Sequence, residues 1–528
     1  MTLSYILSAY ESLIKTNKMN QNSKIDDISV KESNFKDKTF SEFLDDFKAS
    51  MKRAFHGEQT IDEFCSTRGI PDAVLTELMS TNPLALTIPR QFGGFGGTVK
   101  QNIAFISAAS YESLALALTL GINNALFIQP FSKYGQDSAK PAVFDRFLNN
   151  ACMGGLMITE PDFGSDALNM QTSVTQKDGK YHVQGKKHWQ GLTGMADFWL
   201  LTARNKSQSG VLQRDIEMFV CDVKAPNQRV VVDEYFENLG LYQIPYGLNH
   251  LDVLLPENQR LIPETSGVKM LQDLLHRSRF QFPAMGLGFI KRMLDEAITH
   301  TKSRLISNKS LFTYDQVQSR LSRMQANFTI CSAFCVKSGQ VADIENDLSP
   351  LGFEANVIKS LTTDMMQESA QFLLQLVGGK GYKLNHIAGR AVVDSRPFQI
   401  FEGSNDILFH QIADAVLKMM KTAKESDLYQ FLKTLTPRIA DRVHDLVSFE
   451  FDPQLSQRKL VEFGQLMSRI FSMELVSEME ERGFRKDLID NALILLRQDV
   501  SMILNTFRFD NKTLVVEGYE SDSYWFNY

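Results

Sequence analysis

The chain has 528 residues, of which 43% are hydrophobic and 10% aromatic, which supplies several buried cores and excludes a disordered protein. Its net charge of −6 comes from 62 acidic and 56 basic residues without an extended basic block, which argues against nucleic acid as the main partner. The five cysteines are scattered without metal-ligand spacing, which indicates a reducing compartment and no metal site.

Targeting and membrane signals are not found in the sequence. No apolar run is expected to reach the length that spans a membrane, and the N-terminus has neither a secretory nor a transit pattern. We therefore expect a cytoplasmic protein without a transmembrane segment.

The apolar periodicity divides the chain into five parts. Residues 1–38, a short amphipathic start followed by a polar run, are predicted to form a flexible segment. Spacings of three and four predict helices over 39–152, and short β-branched or aromatic runs, among them 198–202, 218–221 and 251–255, predict a β domain over 153–265. Helical spacing returns over 266–422, and two more amphipathic patterns, the first through Leu460, Phe463, Met467 and Ile470, predict a helical extension over 423–528.

A single carboxylate near the end of the helical part is a candidate general base. Glu402 follows the apolar run Phe398, Ile400 and Phe401 and precedes Gly403. Burial among these side chains would raise the Glu402 pKa, and the glycine allows another molecule to approach the backbone closely. Taken by itself, a Glu-Gly pair before a helix is also typical of a simple cap or turn.

A second candidate segment lies at the start of the predicted β domain. Residues 158–166 contain hydroxyl side chains and glycine in an irregular run, and such a loop offers amide and hydroxyl groups to an anionic or ring-edge ligand. Trp189 follows and offers an aromatic face. A turn-rich connection between strands is the alternative interpretation.

The two segments together resemble the acyl-CoA dehydrogenase family of flavoproteins. The family pattern Thr-Glu-Pro, two variable residues, Gly-Ser-Asp is matched in full by residues 159–166. Its Gln-x-x-Gly-Gly-x-Gly pattern is matched by residues 375–381, and its Glu-Gly-Thr element appears as residues 402–404 with serine in the third place. Further matches follow the family's order from about residue 60 to 420: Pro89, Gly93, Gly94, Tyr134, Gly135, Arg279, Gly288 and Arg304.

The resemblance implies an α+β protein with an N-terminal helical domain, a central β-barrel or sandwich domain and a C-terminal four-helix bundle, followed here by the helical extension. It implies noncovalent FAD where the last two domains meet a neighbouring subunit, and hence a homodimer or homotetramer. The implied reaction oxidises acyl-CoA to trans-2-enoyl-CoA, with Glu402 removing the α proton as the β hydride passes to flavin N5. The implied electron acceptor is an electron-transfer flavoprotein.

Matching positions in this family also imply site residues. Thr159 would bond the flavin pyrimidine edge, Ser165 would serve the cofactor phosphate and the thioester, and Trp189 would pack on the isoalloxazine. Arg304 and Gln375 would reach the FAD of a neighbouring subunit. The full implied cofactor set is Ile158, Thr159, Gly164, Ser165, Trp189, Gly191, Arg304, Gln375, Gly378, Gly379, Ser404 and Asp406. The implied substrate contacts are Ser165, Arg279 and Gly403, and no metal is implied.

Three positions depart from the family pattern. The family has threonine near flavin N5 where this chain has Gly191, so either the Gly191 amide serves N5, or Thr193 bends back, or the flavin is tuned differently. Ser307-Asn308 replaces the usual Phe-Gly, and Val393-Asp394 replaces the usual Arg-Asp.

Two other functions fit the same resemblance. One is an acyl-carrier-protein dehydrogenase or an acyl-CoA oxidase in a biosynthetic pathway. The other is a noncatalytic flavoprotein that binds DNA through a basic extension, but from Lys421 onward the chain has 14 basic and 18 acidic side chains. The dehydrogenase is the favoured interpretation because Glu402 occupies the family's base position.

Overall fold

The computed structural model of the protein describes residue 35 and residues 38–57, 60–448, 454–509, 515–519 and 521. The predicted flexible segment 1–38 lies almost wholly outside the described residues. At the first described helix, Thr39 and Glu42 form a reciprocal capping box, in which each side chain bonds the other residue's backbone amide.

Helices fill the chain up to the first strand. They are Phe40–His56 (α1), Ile61–Phe64 (α2), Asp72–Met79 (α3), Val99–Glu112 (α4), Leu114–Asn123 (α5), Gln129–Tyr134 (α6) and Lys140–Asn149 (α7). A π turn at Asn124–Ile128 joins α5 to α6 into one long apolar helix.

This joined helix, Leu114–Tyr134, is long and apolar enough to cross a membrane, which was not expected from the sequence. Within its most apolar stretch, 94% is buried inside the protein. Packing rather than lipid therefore covers it, as in the core helix of a folded domain.

The middle of the chain forms one mixed sheet. Its strands are Gly154–Met157 (β1), Ser173–Lys177 (β2), Lys180–His188 (β3), Phe198–Lys206 (β4), Leu212–Asp222 (β5), Val231–Tyr235 (β6) and Gly247–Pro256 (β7). The order is β1-β4-β2-β3-β7-β6, with β5 also paired to β4. Strand β4 is parallel to β1 and β2, and the other pairs are antiparallel.

Helices then form a bundle. They are Gly267–Arg279 (α8), Phe282–Ser303 (α9), Asp315–Val341 (α10), Gly352–Val377 (α11), Ile387–Ser395 (α12) and Asn405–Ala423 (α13), with a small hairpin of Leu305–Ile306 (β8) and Lys309–Ser310 (β9) after α9. Helix α9 packs on α4, α10 and α11, and so links the bundle to the N-terminal helices. The predicted α+β architecture, helical, β, then helical, is confirmed.

The extension continues the bundle. Its helices are Leu428–Leu435 (α14), Ala440–Val447 (α15), Gln457–Ser477 (α16) and Lys486–Arg508 (α17). Helix α16 packs on α13, and α17 packs on α10 and α16. The predicted apolar stripe of α16 faces this contact, since Phe463, Met467 and Ile470 are fully buried.

Candidate active site

A buried ion pair fixes the loop that follows β1. The Glu160 carboxylate lies 2.9 Å from the Lys187 ammonium and accepts hydrogen bonds from the amides of Gln171 and Thr172. Lys187 is fully buried and also donates to the Ile158 carbonyl, 2.9 Å away. Burial lowers the Lys187 pKa to about 8, and the Glu160 charge opposes that shift. The pair therefore fixes the path of the loop through its backbone.

Two hydroxyl groups of the same loop remain available to a ligand, although its backbone is tied to the protein. The Thr159 carbonyl accepts hydrogen bonds from the His188 amide and the Gln190 side chain, which ties the loop to the end of β3. The hydroxyls of Thr159 and Ser165 bond to no other described residue, and Gly164 and Ser165 are exposed. The loop can therefore offer hydroxyl groups to a ligand.

Trp189 lies beside this loop and exposes 52% of its surface. Its ring centroid is 4.6 Å from that of Phe236 and 6.3 Å from that of Tyr246. An aromatic face of this size left open to solvent is a platform for a planar ligand.

Gly191 lies where three side chains converge. A β-carbon built there would come within 2.8 Å of Ile122, 3.4 Å of Ile244 and 3.5 Å of Tyr246. A side chain at this position would therefore require the Ile122 side chain to shift, while Ile244 and Tyr246 lie at ordinary contact distances. The Gly191 amide has no acceptor in the part of the chain that is described.

Thr193 does not replace the missing hydroxyl. Its side chain is fully buried, donates to the Gln190 carbonyl at 2.8 Å and accepts from the Asn249 amide at 3.1 Å. Because both hydrogen-bonding directions are used inside the protein, the alternative in which Thr193 bends back towards a ligand does not hold.

Glu402 lies in a tight turn. The turn follows a short 3₁₀ segment, Arg396–Gln399, and precedes α13. Its φ of +54° and the φ of +91° at Gly403 are both left-handed, a conformation that costs free energy at a non-glycine residue. One carboxylate oxygen, Oε1, accepts a hydrogen bond from the Ser278 hydroxyl at 2.9 Å. The other, Oε2, is shielded from solvent and has no partner among the described residues.

Two buried cations hold the backbone of this turn. Arg279 donates to the Glu402 carbonyl at 2.8 Å and to Asn356 at 2.6 Å. Lys359 donates to the Gly403 carbonyl at 2.8 Å and to the Asn405 side chain at 3.0 Å. The turn is thereby fixed from helices α8 and α11.

The charges around Glu402 oppose the effect of burial. Burial raises the Glu402 pKa, while the Ser278 hydrogen bond and the Arg279 and Lys359 charges act in the other direction. Burial also lowers the Arg279 pKa to about 10, and burial together with repulsion from Arg279 lowers the Lys359 pKa to about 7. The site combines a desolvated carboxylate with cations that are themselves costly to bury.

A separate basic patch contains the remaining predicted positions of the bundle. Arg304, Gln375, Gly378 and Gly379 are all exposed. Burial lowers the His300 pKa, and the nearby charges of Arg304, Lys380 and His386 lower it further. Arg304 is in no ion pair with any residue that the structure describes, so the patch is open to an anion.

The predicted residues thus form three groups rather than one continuous cluster. The loop group comprises Ile158, Thr159, Gly164, Ser165, Trp189 and Gly191; the turn group comprises Arg279, Glu402, Gly403, Ser404 and Asp406; and the patch comprises Arg304, Gln375, Gly378 and Gly379. The middle part of the chain is tied to the bundle where the Leu241 amide donates to Asp394 at 2.6 Å, eight residues before Glu402. Burial raises the Asp394 pKa to about 6.

Three side chains of the site were not found from the sequence. Ser278 and Lys359 reach the turn, and Tyr246 borders Gly191 and Trp189. Lys359 could have been noticed in the sequence, because it interrupts a helix face made mostly of apolar and small residues. Its partner could not have been predicted, because that depends on how α11 is rotated and shifted against the turn.

Comparison with known proteins gives consistent matches along the chain. Models of the acyl-CoA dehydrogenase N-terminal, middle and C-terminal domains match residues 42–151, 155–252 and 265–417. An acyl-CoA dehydrogenase of Bacillus subtilis is 25% identical over 65% of this chain and 88% of its own length. The mouse mitochondrial very long-chain specific enzyme is 22% identical over 70% of this chain but only 56% of its own length.

One solved structure is similar to this chain over most of its length, including most of the C-terminal extension. The acyl-CoA dehydrogenase of Bacillus anthracis, solved in complex with FAD, has a TM-score of 0.71 and 15% identity, and the match covers 92% of this chain and 90% of that one. Since the three domain models together span most of the chain in the expected order, the protein belongs to the acyl-CoA dehydrogenase family, whose members are oxidoreductases acting on CH–CH bonds.

Proposed function

We propose that this protein is an FAD-dependent dehydrogenase that converts an acyl thioester, as acyl-CoA, to the trans-2-enoyl thioester. The observation that carries the proposal is the Glu402 carboxylate, whose Oε2 is desolvated and unpaired while the turn that bears it is held by Arg279 and Lys359. A carboxylate in that state is a stronger base than one in water.

The polar and aromatic groups of the chain fit FAD. The proposed contacts are the free hydroxyls of Thr159 and Ser165, the unpaired amide of Gly191 and the open face of Trp189, with Ile158 and Gly164 contributing backbone. Ser404 and Asp406 begin α13, and Arg304, Gln375, Gly378 and Gly379 supply an exposed basic surface for the cofactor of a neighbouring subunit in a homodimer or homotetramer. When bound, FAD supplies the acceptor for the hydride of the β carbon.

Glu402 accepts the α proton at Oε2 in this proposal. The α proton of a thioester is weakly acidic, so its carbonyl must be polarised as the proton leaves. The Glu402 amide bonds to no described acceptor, and we assign it to the thioester oxygen. Gly403 and Ser165 border the thioester.

Arg279 is given a different role from the one implied by the resemblance. It is 8% exposed, and both of its Nη atoms bond within the protein, to the Glu402 carbonyl and to Asn356. We therefore propose that it positions the turn and contacts the thioester only through Glu402.

The proposal extends to partners and location. Electrons would leave through an electron-transfer flavoprotein, and the protein would be cytoplasmic. Support for a reducing compartment comes from the five cysteines, which are all free and buried.

Anaerobic titration with acyl-CoAs, followed by flavin absorbance, tests the proposal. Glu402→Gln is expected to keep flavin and thioester binding and to lose about 10²–10⁴-fold in the rate of flavin reduction, the usual effect of removing a positioned base. Asp414→Asn is the matched control, because it makes the same carboxylate-to-amide change at an exposed position of α13 away from the turn. Flavin bleaching at the wild-type rate in Glu402→Gln would remove Glu402 as the base.

A further inference from the structure

A cavity of about 150 Å³ separates the bundle from the extension. Its charged lining comes from both: Arg323, Asp364 and Glu368 belong to α10 and α11, and Arg469 and Asp499 belong to α16 and α17. Charged side chains gathered in an interior space are costly to desolvate unless they are paired and hydrogen-bonded.

One of these side chains, Asp364, holds both ends of the turn that carries Glu402. Its Oδ1 accepts a hydrogen bond from the Gln399 side chain at 2.6 Å and another from the Asn405 side chain at 2.7 Å. Gln399 precedes Glu402 by three residues, and Asn405 follows it by three. Asn405 also accepts the hydrogen bond from Lys359.

Arg469 of the extension faces Asp364 across the cavity. Burial lowers the Arg469 pKa, and the Asp364 charge is the strongest opposing influence. The guanidinium has no ion pair within 4 Å among the described residues, and its one hydrogen bond, to the Gln465 carbonyl, is 3.4 Å long. It also lies 5.6 Å from the ring centre of Phe409, one helical turn after Asn405.

The space between Arg469 and Asp364 is suited to ordered water. A polar cavity needs only about 10–15 Å³ to hold one water molecule, and this one is several times larger and lined by charged groups. A bridging water transmits an electrostatic contact almost as well as a direct hydrogen bond does.

We propose that Arg469 is a positioning residue for the Glu402 turn, acting from the extension through Asp364 on Gln399 and Asn405. The extension is thereby part of the support of the catalytic turn. The claim that this turn carries the catalytic base rests on the proposed function. The coupling between Arg469 and the turn does not depend on that function.

A hydrogen-bonded pair outside the cavity provides a matched control. The Ser322 hydroxyl of α10 donates to the Asn491 side-chain oxygen of α17 at 2.9 Å, and the Asn491 amide group donates to the Ser322 carbonyl at 3.0 Å. Neither residue lines the cavity. Asn491→Ala therefore loosens the extension without changing the charges around Arg469.

Hydrogen–deuterium exchange of the flavin-loaded, full-length protein tests the coupling. The amides of Ile400 and Phe401 bond the Pro397 carbonyl and report opening of the turn. In Arg469→Met and in Asp364→Asn, exchange in the peptide spanning 396–407 is expected to be roughly tenfold faster, while Asn491→Ala leaves it unchanged. Arg469→Lys, which keeps the charge, is expected to lie near the wild type.

Kinetics of the same variants give a second readout. Arg469→Met is expected to lower kcat several-fold with little change in KM, because a looser turn misplaces the base without removing a substrate contact. Unchanged exchange in Arg469→Met, or an equal rise in Asn491→Ala, would overturn the coupling. Failure of Glu402→Gln to slow flavin reduction would instead overturn the proposed base and leave the exchange result intact.

Discussion

Gly191 shows how one residue records the packing around a site. Gly191 stands where the family has threonine, and the terminal methyl group of Ile122, from the long buried helix, lies 2.8 Å from the place of a β-carbon. Hydroxyl groups close to the open face of Trp189 must therefore come from elsewhere, and Thr193 is committed to the interior.

Restoring threonine at this position is expected to be destabilising. Gly191→Thr should cost about 1 kcal/mol of unfolding free energy, the low end of the range for overpacking, because the Ile122 side chain can shift. Ile122→Val removes the closest atom, so the double variant should be less destabilised than the sum of the two single variants. Urea denaturation measures both, with Gly164→Ala as the control, since a β-carbon there meets nothing within 4 Å.

Full additivity in that double variant would mean that Ile122 is not the obstacle.

The turn around Glu402 could be predicted from the sequence only in part: its local residues were identified, but its partners from distant helices were not. The position of the carboxylate could be predicted from a local motif, and its burial beside Phe398 and Phe401 could be predicted from the adjacent residues in the sequence. Ser278 and Lys359 lie 124 and 43 residues away along the chain, and they meet the turn only because α8 and α11 have a particular register. Local sequence does not contain that register. The assignments of the cofactor residues stay predictions.

Among the elements, α16 and α13 approach unusually closely. A β-carbon on Gly464 would lie 1.8 Å from the Phe409 carbonyl oxygen, so the backbone of one helix touches the other. This contact attaches the extension to the helix that begins immediately after the Glu402 turn.

Gly464→Ala is expected to separate the two helices and destabilise the protein by about 1–3 kcal/mol, although alanine is the better helix former. Gly339→Ala in α10 is the matched control, because a β-carbon there meets first the flexible Lys100 side chain at 3.0 Å, and it should be neutral or slightly stabilising. Thermal unfolding compares them. Equal midpoints for the two variants would show that the helices can separate without cost.

Elements were predictable where their apolar period was strong. The runs at 198–202, 218–221 and 251–255 lie in β4, β5 and β7, and the stripe through Phe463, Met467 and Ile470 is buried in α16. The π turn that fuses α5 to α6 has no comparable signal, because it changes hydrogen bonding within an evenly apolar stretch. The proposed domain limits stay predictions.

For the whole molecule, the buried lysine of the site links pH to stability. Burial, together with repulsion from Arg279, lowers the pKa of Lys359 in the folded protein from its ordinary value of 10.5 to about 7. Between these values the unfolded chain binds a proton that the folded protein has released, so stability attributable to Lys359 rises with pH over that window.

Lys359→Met removes this dependence. The unfolding free energy of the wild type minus that of the variant should therefore rise by an amount on the order of 1–3 kcal/mol from pH 7 to pH 10. Chemical denaturation at a series of pH values gives the difference, in which other titrating groups largely cancel. A difference that is flat or falls with pH would mean that Lys359 stays charged in the folded protein.

The helix Leu114–Tyr134 has a consequence for synthesis. Some of its neighbours precede it, such as Asn102, which bonds Asn124, but others come later in the chain: Phe127 packs against the backbone at Gly154, and Gly121 faces Met285. A ribosome adds about 5–20 residues per second, so this membrane-like segment waits on the order of ten seconds for the partner at Met285. During that interval the nascent chain presents an apolar 21-residue helix to chaperones and to membrane-insertion machinery alike, and correct delivery depends on how soon the first nearby partners close over it.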